Sequence, residues 1–444
     1  MHRIIKRFLS TTMSRFATID LSPTVSHVSK KIDITGNGFD PDSPITIQST
    51  LICSEEGFDF QSYAHTYTNK DGCFDLKTNE SVGGTYTGVE DMGLFWSMEY
   101  QRKSYTRAAF NNGLQDLLYS FKVYSDHINN FEDITPLCES SIERYLSNSV
   151  DRIPIKDKDI KGTLFIPKGA ANAPAIITIF GGFKRGNTLE HFASYLAHQG
   201  FVTLALAFFG VEGLPKTYTE SPVRMEYFEE AVEFLRQHDS VDVERVGVLG
   251  VSKGGDIAHA MMAHLPQIKA VCNMNGSIAC VESPTTYKEH RIEPLPSDLS
   301  RVEMRSEGVI DIFNYFANVR EHLYSVHKFE DSSADFLMVL GEQDRSWRME
   351  EFANLAKEKM DAVGKTNYQF KKYEHLGHMI ELPYLPICLF DGHPLVPKEL
   401  KIFYGGEDKN LISKDQVVLW DDVLNFFHTS LNTGNAGDRP KSKL

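Results

Sequence analysis

Residues 243–262 read VERVGVLGVSKGGDIAHAMM. Val246, Val248 and Leu249 form the short, β-branched apolar run of a strand buried on both faces. Ile257, Met261 and Leu265 then recur at helical spacing, with no proline before Pro266. Between them, Gly250-Val251-Ser252-Lys253-Gly254 sets small residues two positions either side of a serine. That pattern lets the chain reverse tightly and holds Oγ clear of the sheet. The segment predicts strand, sharp turn and helix, with Ser252 presented for chemistry. The competing role for a serine here is a helix N-cap, so the reading depends on partners elsewhere in the chain.

At 444 residues a single core is improbable on size grounds, and two domains are expected. A hydrophobic content of 41% beside 24% charged residues is that of a globular protein with ample material for a core. The net charge of -14 argues against a nucleic-acid-binding protein, though not against a local basic patch for an anionic ligand. No stretch approaches the roughly 18 continuous apolar residues of a membrane span. Cys53, Cys73, Cys138, Cys272, Cys280 and Cys388 are scattered without metal-ligand spacing and read as free thiols of a reducing compartment.

Both ends carry possible addresses. Residues 1–19 contain His2, Arg3, Lys6, Arg7 and Arg15 among hydroxyl residues, with no acid before Asp20, as in a mitochondrial presequence. An ordinary basic arm is the alternative, and Met13 could serve as a second start that omits most of it. The chain closes on Ser442-Lys443-Leu444, the tripeptide read by the peroxisomal import receptor. The polar residues 432–441 would present it as a flexible tail.

Within a first domain expected at 20–150, residues 20 to about 126 alternate strand candidates such as Ile45 to Leu51 and Ala64 to Tyr67 with turn chemistry at Gly36-Asn37-Gly38, Asp40-Pro41-Asp42 and Asn69-Lys70-Asp71-Gly72. That rhythm predicts a β-sandwich. Asp126 to Asp151 is polar and lacks a clear period, which places the boundary near 150. Over 151–431 the rhythm changes to strands alternating with amphipathic helices. Strands are expected at 162–166, 175–180, 201–209, 268–274, 336–340 and 368–373, and helices around Phe192, Phe228 and Phe352. Ser413 with Gln416 makes a capping-box pattern before a last helix with Trp420, Val423 and Phe427 on its apolar face. Such alternation implies a mostly parallel, doubly wound sheet with helices on both faces.

In such a sheet chemistry gathers at the carboxyl ends of the strands. Asp344 follows the strand ending at Leu340, and His378 follows the strand ending at Tyr373. A hydroxyl is a poor nucleophile at neutral pH; it needs an imidazole to take its proton and a carboxylate to orient the imidazole. His378 is expected as base then acid, and Asp344 as its orienter. His375 and Glu342 are near competitors. The oxyanion needs two backbone donors. One is expected from Lys253 and the other from Gly181, Gly182 or Phe183, where a strand runs into a glycine-bearing loop. Lys184, Arg185 and Lys253 would add local positive charge for an anionic substrate.

The stretches Gly250-Val251-Ser252-Lys253-Gly254-Gly255, Asn275-Gly276-Ser277-Ile278-Ala279, MGLFWSME at 92–99, Leu214-Pro215-Lys216-Thr217 and GHMIELPY at 377–384 resemble the acyl-CoA thioesterase and bile acid-CoA:amino acid N-acyltransferase family. The resemblance runs in order from about residue 20 to 430. It implies a β-sandwich followed by an α/β-hydrolase domain, a triad of Ser252, Asp344 and His378, an acyl-CoA substrate, an acyl-enzyme intermediate, and neither metal nor cofactor. The loop Gly181-Gly182-Phe183-Lys184 is less glycine-rich than the family's usual form, and the basic N-terminus lies outside the resemblance. Amino-acid-conjugating members typically carry cysteine at the elbow and thioesterases serine, so the resemblance implies hydrolysis of a fatty acyl-CoA. Acyl transfer to glycine or taurine is the runner-up, and a non-catalytic binding protein is the reading from another class. Val309, Ile310, Phe313 and Phe316, or the loop from Ile380 to Leu389, could line an acyl tunnel or simply fill the core.

Overall fold

The structure, a computed structural model, describes residues 16–53, 58–101, 116–155, 159–181, 189–392, 396–397 and 399–431. The basic segment 1–15, the loop residues Gly182, Phe183, Lys184 and Arg185, and the tail with Ser442-Lys443-Leu444 lie outside these.

The first part of the chain is two sheets. Thr18–Ser22, Asp33–Asn37 and Phe74–Asp75 form a three-stranded sheet, and the larger sheet orders Val25–His27, Cys138–Tyr145, Leu117–Ser125, Pro44–Cys53, Phe58–Tyr67 and Gly83–Gly84, with Glu99–Tyr100 also paired to Phe58–Tyr67. Strict alternation of buried and exposed residues in Thr18–Ser22 turns Ile19 and Leu21 inward, where they share one core with Ile34, Ile47, Phe121 and Ile142. The strand Cys138–Tyr145 lies in the polar stretch that shows no period in sequence. One of its inward residues is Arg144, fully buried, with its guanidinium 4.5 Å from the Phe95 ring centroid and its Nη2 donating to the carbonyls of Val28 and Lys30.

The second part is built on an eight-stranded sheet in the order Val150–Ile155, Lys161–Pro167, Val202–Ala207, Ala173–Phe180, Val241–Val251, Ile268–Met274, Asp335–Gly341, Tyr368–Tyr373, with a three-stranded and a four-stranded sheet outside it. The first two strands run antiparallel to their neighbours and all later pairs are parallel. Alternate side chains go to opposite faces. Ile176, Leu249, Leu337 and Val339 meet Phe192, Trp420 and Phe427 from the helices Glu190–His198 and Lys409–Leu431. Ile177, Val248, Phe336 and Met338 meet Phe228, Ile257, Met261 and Phe352 from Met225–Arg236, Lys253–His264 and Met349–Ala362. This double burial is why these strands read as near-continuous apolar runs. The first core is continuous with that of the sandwich: Trp96 and Leu385 belong to it together with Trp420, and Ile387 N–H donates to the Trp96 carbonyl at 3.3 Å.

The capping-box expectation at Ser413 and Gln416 is wrong. The last helix starts a turn earlier, at Lys409, where Oδ1 of Asp408 accepts from the N–H groups of Asn410 at 2.8 Å and Leu411 at 3.2 Å. Ser413 and Gln416 are buried inside the helix.

Candidate active site

The strand Val241–Val251 ends in the turn quoted at the outset. Ser252 adopts φ 57°, ψ −127°, a conformation that costs a non-glycine residue about 1–3 kcal/mol and persists only where its surroundings impose it. Here they do. A Cβ on Gly250 would stand 2.1 Å from the Gly254 carbonyl oxygen, and one on Gly254 would stand 2.0 Å from that of Ile179. Only glycine at both positions lets strand and helix close this tightly.

The ends of the strands Asp335–Gly341 and Tyr368–Tyr373, second and third beyond Val241–Val251 in the sheet, bring partners to the serine. His378 Nε2 lies 2.9 Å from Ser252 Oγ, and His378 Nδ1 lies 2.8 Å from Asp344 Oδ2. The other carboxylate oxygen of Asp344 accepts from the N–H groups of Ser346 at 2.7 Å and Trp347 at 3.0 Å, which fixes its orientation. All three residues are buried. In this arrangement Nδ1–H donates to Asp344, leaving the Nε2 lone pair toward the serine hydroxyl, the tautomer a general base requires. The competitors lie elsewhere: Glu342 is exposed and faces Lys372, and His375 is held by Asp415.

Two further residues complete the geometry. Asn275, at φ 48°, donates from Nδ2 to the carbonyls of Gly377 at 2.9 Å and His378 at 3.1 Å, and its Oδ1 accepts from Gly341 N–H at 2.7 Å. It therefore ties the strand end that leads to the aspartate to the loop that carries the histidine. Trp347 donates its indole N–H to His378 Nε2 at 3.2 Å and stacks on Phe316 with ring centroids 4.9 Å apart. Sequence reasoning gave neither a role. Asn275 stood only inside a family stretch, and a tryptophan three residues after an aspartate carries no signal by itself.

The amide of Lys253 opens the helix Lys253–His264, where the first N–H groups have no intrahelical partner. Its side chain does not supply free charge to a substrate, contrary to expectation. It is buried, with Nζ 2.5 Å from Asp256 Oδ2 and 2.6 Å from the Val281 carbonyl. Burial opposes its charge, but Asp256, together with Cys280 and Glu282, outweighs this and raises its pKa. Gly181, the described end of the other expected donor loop, lines the cavity beside the serine.

That cavity measures about 300 Å³ and is mostly apolar. Phe180, Leu299, Val302, Ile310, Phe316 and Leu400 line it together with Ser252, His378 and Trp347. Of the expected tunnel residues, Ile310 and Phe316 are in its wall. Phe313 instead lies under the guanidinium of Arg345 at 4.4 Å, and the Ile380 to Leu389 loop puts Ile380, Leu382, Leu385 and Ile387 into the core. Among the described residues no group of His, Cys, Asp and Glu has the arrangement of a metal site, and no helix is long and apolar enough to cross a membrane.

A serine on a strand-to-helix elbow at the carboxyl edge of a mostly parallel sheet, with histidine and aspartate on the strand ends beyond it, defines an α/β-hydrolase domain. The chain belongs to the acyl-CoA thioester hydrolase/BAAT family: residues 29–157 match the "Acyl-CoA thioester hydrolase/BAAT N-terminal region" and residues 223–433 match "BAAT / Acyl-CoA thioester hydrolase C terminal". It is 34% identical over 425 residues to rat "Acyl-coenzyme A thioesterase 2, mitochondrial", covering 95% of this chain and 91% of that one. It is 34% identical to human "Acyl-coenzyme A thioesterase 1", with 92% and 95% covered, and 32% identical to mouse "Peroxisomal succinyl-coenzyme A thioesterase", with 96% and 100% covered. Among solved structures, an esterase from Pyrobaculum calidifontis aligns with TM-score 0.38 at 15% identity over 64% of this chain and 86% of that one. The acylaminoacyl peptidase of Pyrococcus horikoshii aligns with TM-score 0.44 at 13% identity over 93% and 61%.

Proposed function

We propose that this protein hydrolyses fatty acyl-CoA to free acid and CoA through an acyl-enzyme on Ser252. The observation that carries the proposal is the hydrogen-bonded chain Ser252–His378–Asp344 opening into a cavity walled by apolar side chains. An acyl chain enters that cavity and sets its thioester carbonyl against Ser252. His378 takes the hydroxyl proton as Oγ attacks, and the oxyanion forms against the Lys253 amide and a donor from the 181–183 loop. The C–S bond breaks as His378 returns the proton to the CoA sulfur. Water, activated by the same imidazole, then cleaves the ester and restores the serine. Asp344 keeps the imidazole in the required tautomer throughout, and the steps need neither metal nor cofactor.

Names of relatives that include both mitochondrial and peroxisomal thioesterases support a place in acyl-CoA metabolism. We read Ser442-Lys443-Leu444 as the peroxisomal address and the basic residues up to Arg15 as a second, mitochondrial one; Thr18 and Ile19, the end of the expected 1–19 arm, belong instead to the first strand. A panel of acyl-CoAs assayed for thiol release and product mass, with and without glycine and taurine, tests the activity. Free acid as the main product supports hydrolysis, whereas N-acylglycine or N-acyltaurine at millimolar amine would replace it with acyl transfer. No product from any acyl-CoA would return the chain to a binding role.

A further inference from the structure

Behind Lys253, which lines the cavity, lies a buried network of charged side chains that take no part in the proton transfers. Asp256 is fully buried in the first turn of the helix that Lys253 opens. Its Oδ2 accepts from Lys253 Nζ and from Val281 N–H at 3.1 Å, and its Oδ1 lies 2.6 Å from Nε2 of the equally buried His327. Lys253 Nζ in turn donates to the Val281 carbonyl. Asp256 thus joins the start of the helix, the loop after Ile268–Met274, and the segment before Asp335–Gly341. Its pKa is lowered: burial opposes the charge, but Lys253 and His327 overcome it.

Taking a lysine and an aspartate out of water costs several kcal/mol, and such a pair is weak evidence for stability as such. Its position offers a different reason. Lys253 is the residue whose amide is expected to meet the oxyanion. Its side chain also packs against Gly181, where the strand Ala173–Phe180 ends, since a Cβ added to Gly181 would stand 2.3 Å from Lys253 Cβ. The lysine stem is therefore in tight contact with Gly181, the residue that leads into the expected second donor loop, and Asp256 holds that stem by its end.

We infer that Asp256 and His327 are positioning residues that fix the oxyanion site by clamping the Lys253 side chain. The inference rests on Ser252 being the nucleophile, but not on the substrate being a CoA ester. Hydrogen-bond donors aimed at developing charge act through alignment, so slack in the clamp lowers kcat and leaves ground-state binding nearly unchanged.

The test uses the full chain with p-nitrophenyl butyrate, a substrate without CoA. It adds an alkyl trifluoromethyl ketone, which forms an oxyanion on the serine, and the matching alcohol, which does not. Asp256→Asn and, separately, Lys253→Met should each lower kcat roughly 10- to 100-fold, less than the loss of a whole oxyanion donor. KM should stay within about threefold, ketone affinity should fall in step with kcat, and alcohol affinity should hold. Wild-type kcat and ketone affinity in both variants overturn the inference. So does equal weakening of ketone and alcohol, or unfolding of both variants in a thermal melt, each of which would make the network a prop for the fold alone. A wild type that turns over the ester but no acyl-CoA removes the function proposed above and leaves this inference standing.

Discussion

Three residues ahead of the histidine that reaches Ser252, His375 turns the other way: its Nδ1 lies 3.2 Å from Oδ2 of Asp415 on the C-terminal helix, and its N–H donates to the same oxygen at 2.9 Å. It is half-exposed and absent from the cavity wall. Ser252→Ala and His378→Ala should each lower kcat by roughly 10⁴-fold or more. His375→Ala should change it less than about threefold, because it loses only a part-exposed contact. Steady-state kinetics of the three variants decides the matter, and equal losses at the two histidines would undo the role given to His378.

Asn275 satisfies one donor and two acceptors that are otherwise buried between a strand end and the histidine loop. Asn275→Ala leaves those backbone groups without a partner and puts alanine in a left-handed conformation that asparagine tolerates better. A loss of about 2 kcal/mol in urea unfolding is expected, together with a fall in kcat as the His378 loop loses its register against Asp344. A variant with unchanged stability would show that the loop is held by other means.

The division between legible and hidden features follows where the partner of each residue lies. Ile268–Met274 and Tyr368–Tyr373 were legible at their observed bounds, because strands of this kind are set by local apolar pattern and by turn residues beside them. The order of Ser252, Asp344 and His378 was legible for a topological reason: each sits just beyond the carboxyl end of a strand. Cys138–Tyr145 was hidden because one of its inward residues is a buried arginine, which reads as a surface residue when its carbonyl partners are more than a hundred residues away. Lys253 was misread in the same way. Asp256 stands only three residues on, but His327 and the Val281 carbonyl, which make the site a closed network, cannot be placed from spacing. At Ser413 a sound local rule lost to a better cap one turn earlier, Asp408.

His259 predicts how stability responds to acid. It is fully buried between Phe329 and Phe336, with ring centroids 4.6 and 4.9 Å away, and neither ring nitrogen has a hydrogen-bond partner among the described residues. Burial, with a smaller contribution from His327, pushes its pKa down to about 3. The unfolded chain takes up a proton near pH 6.5 that the folded chain refuses until about pH 3, so unfolding binds a proton throughout that window and stability falls as pH is lowered through it. Buried His27 shifts in the same direction, mainly through desolvation. His259→Phe should flatten the melting temperature between pH 6.5 and 4 relative to wild type. Parallel curves for the two proteins would remove His259 as a source of the acid sensitivity.

Among the described residues Glu282 is the one carboxylate lining the cavity, beside Tyr218, and it is held at φ 62°. Part of it faces the cavity, yet the surrounding protein leaves it poorly solvated and raises its pKa, against the pull of Lys253 and of a hydrogen bond with Tyr218. An acyl group that ends in its own carboxylate would bring a second negative charge into this space. At a separation of about 6 Å and an effective dielectric of about 20 the repulsion is roughly 3 kcal/mol, or about a hundredfold in kcat/KM. Plain acyl-CoAs should therefore be cleaved well ahead of ω-carboxyacyl-CoAs of equal length. Glu282→Gln should narrow that ratio by roughly tenfold or more, mainly through the carboxylated substrates. Because protonation removes the repulsion, the wild-type ratio should also narrow as pH is lowered, beginning at a higher pH than an ordinary glutamate would give, while the ratio in Glu282→Gln stays flat. Matched pairs of substrates assayed across pH 5 to 8 give both readouts, and a wild type that cleaves both members of a pair equally well would show that the acyl chain does not pass Glu282.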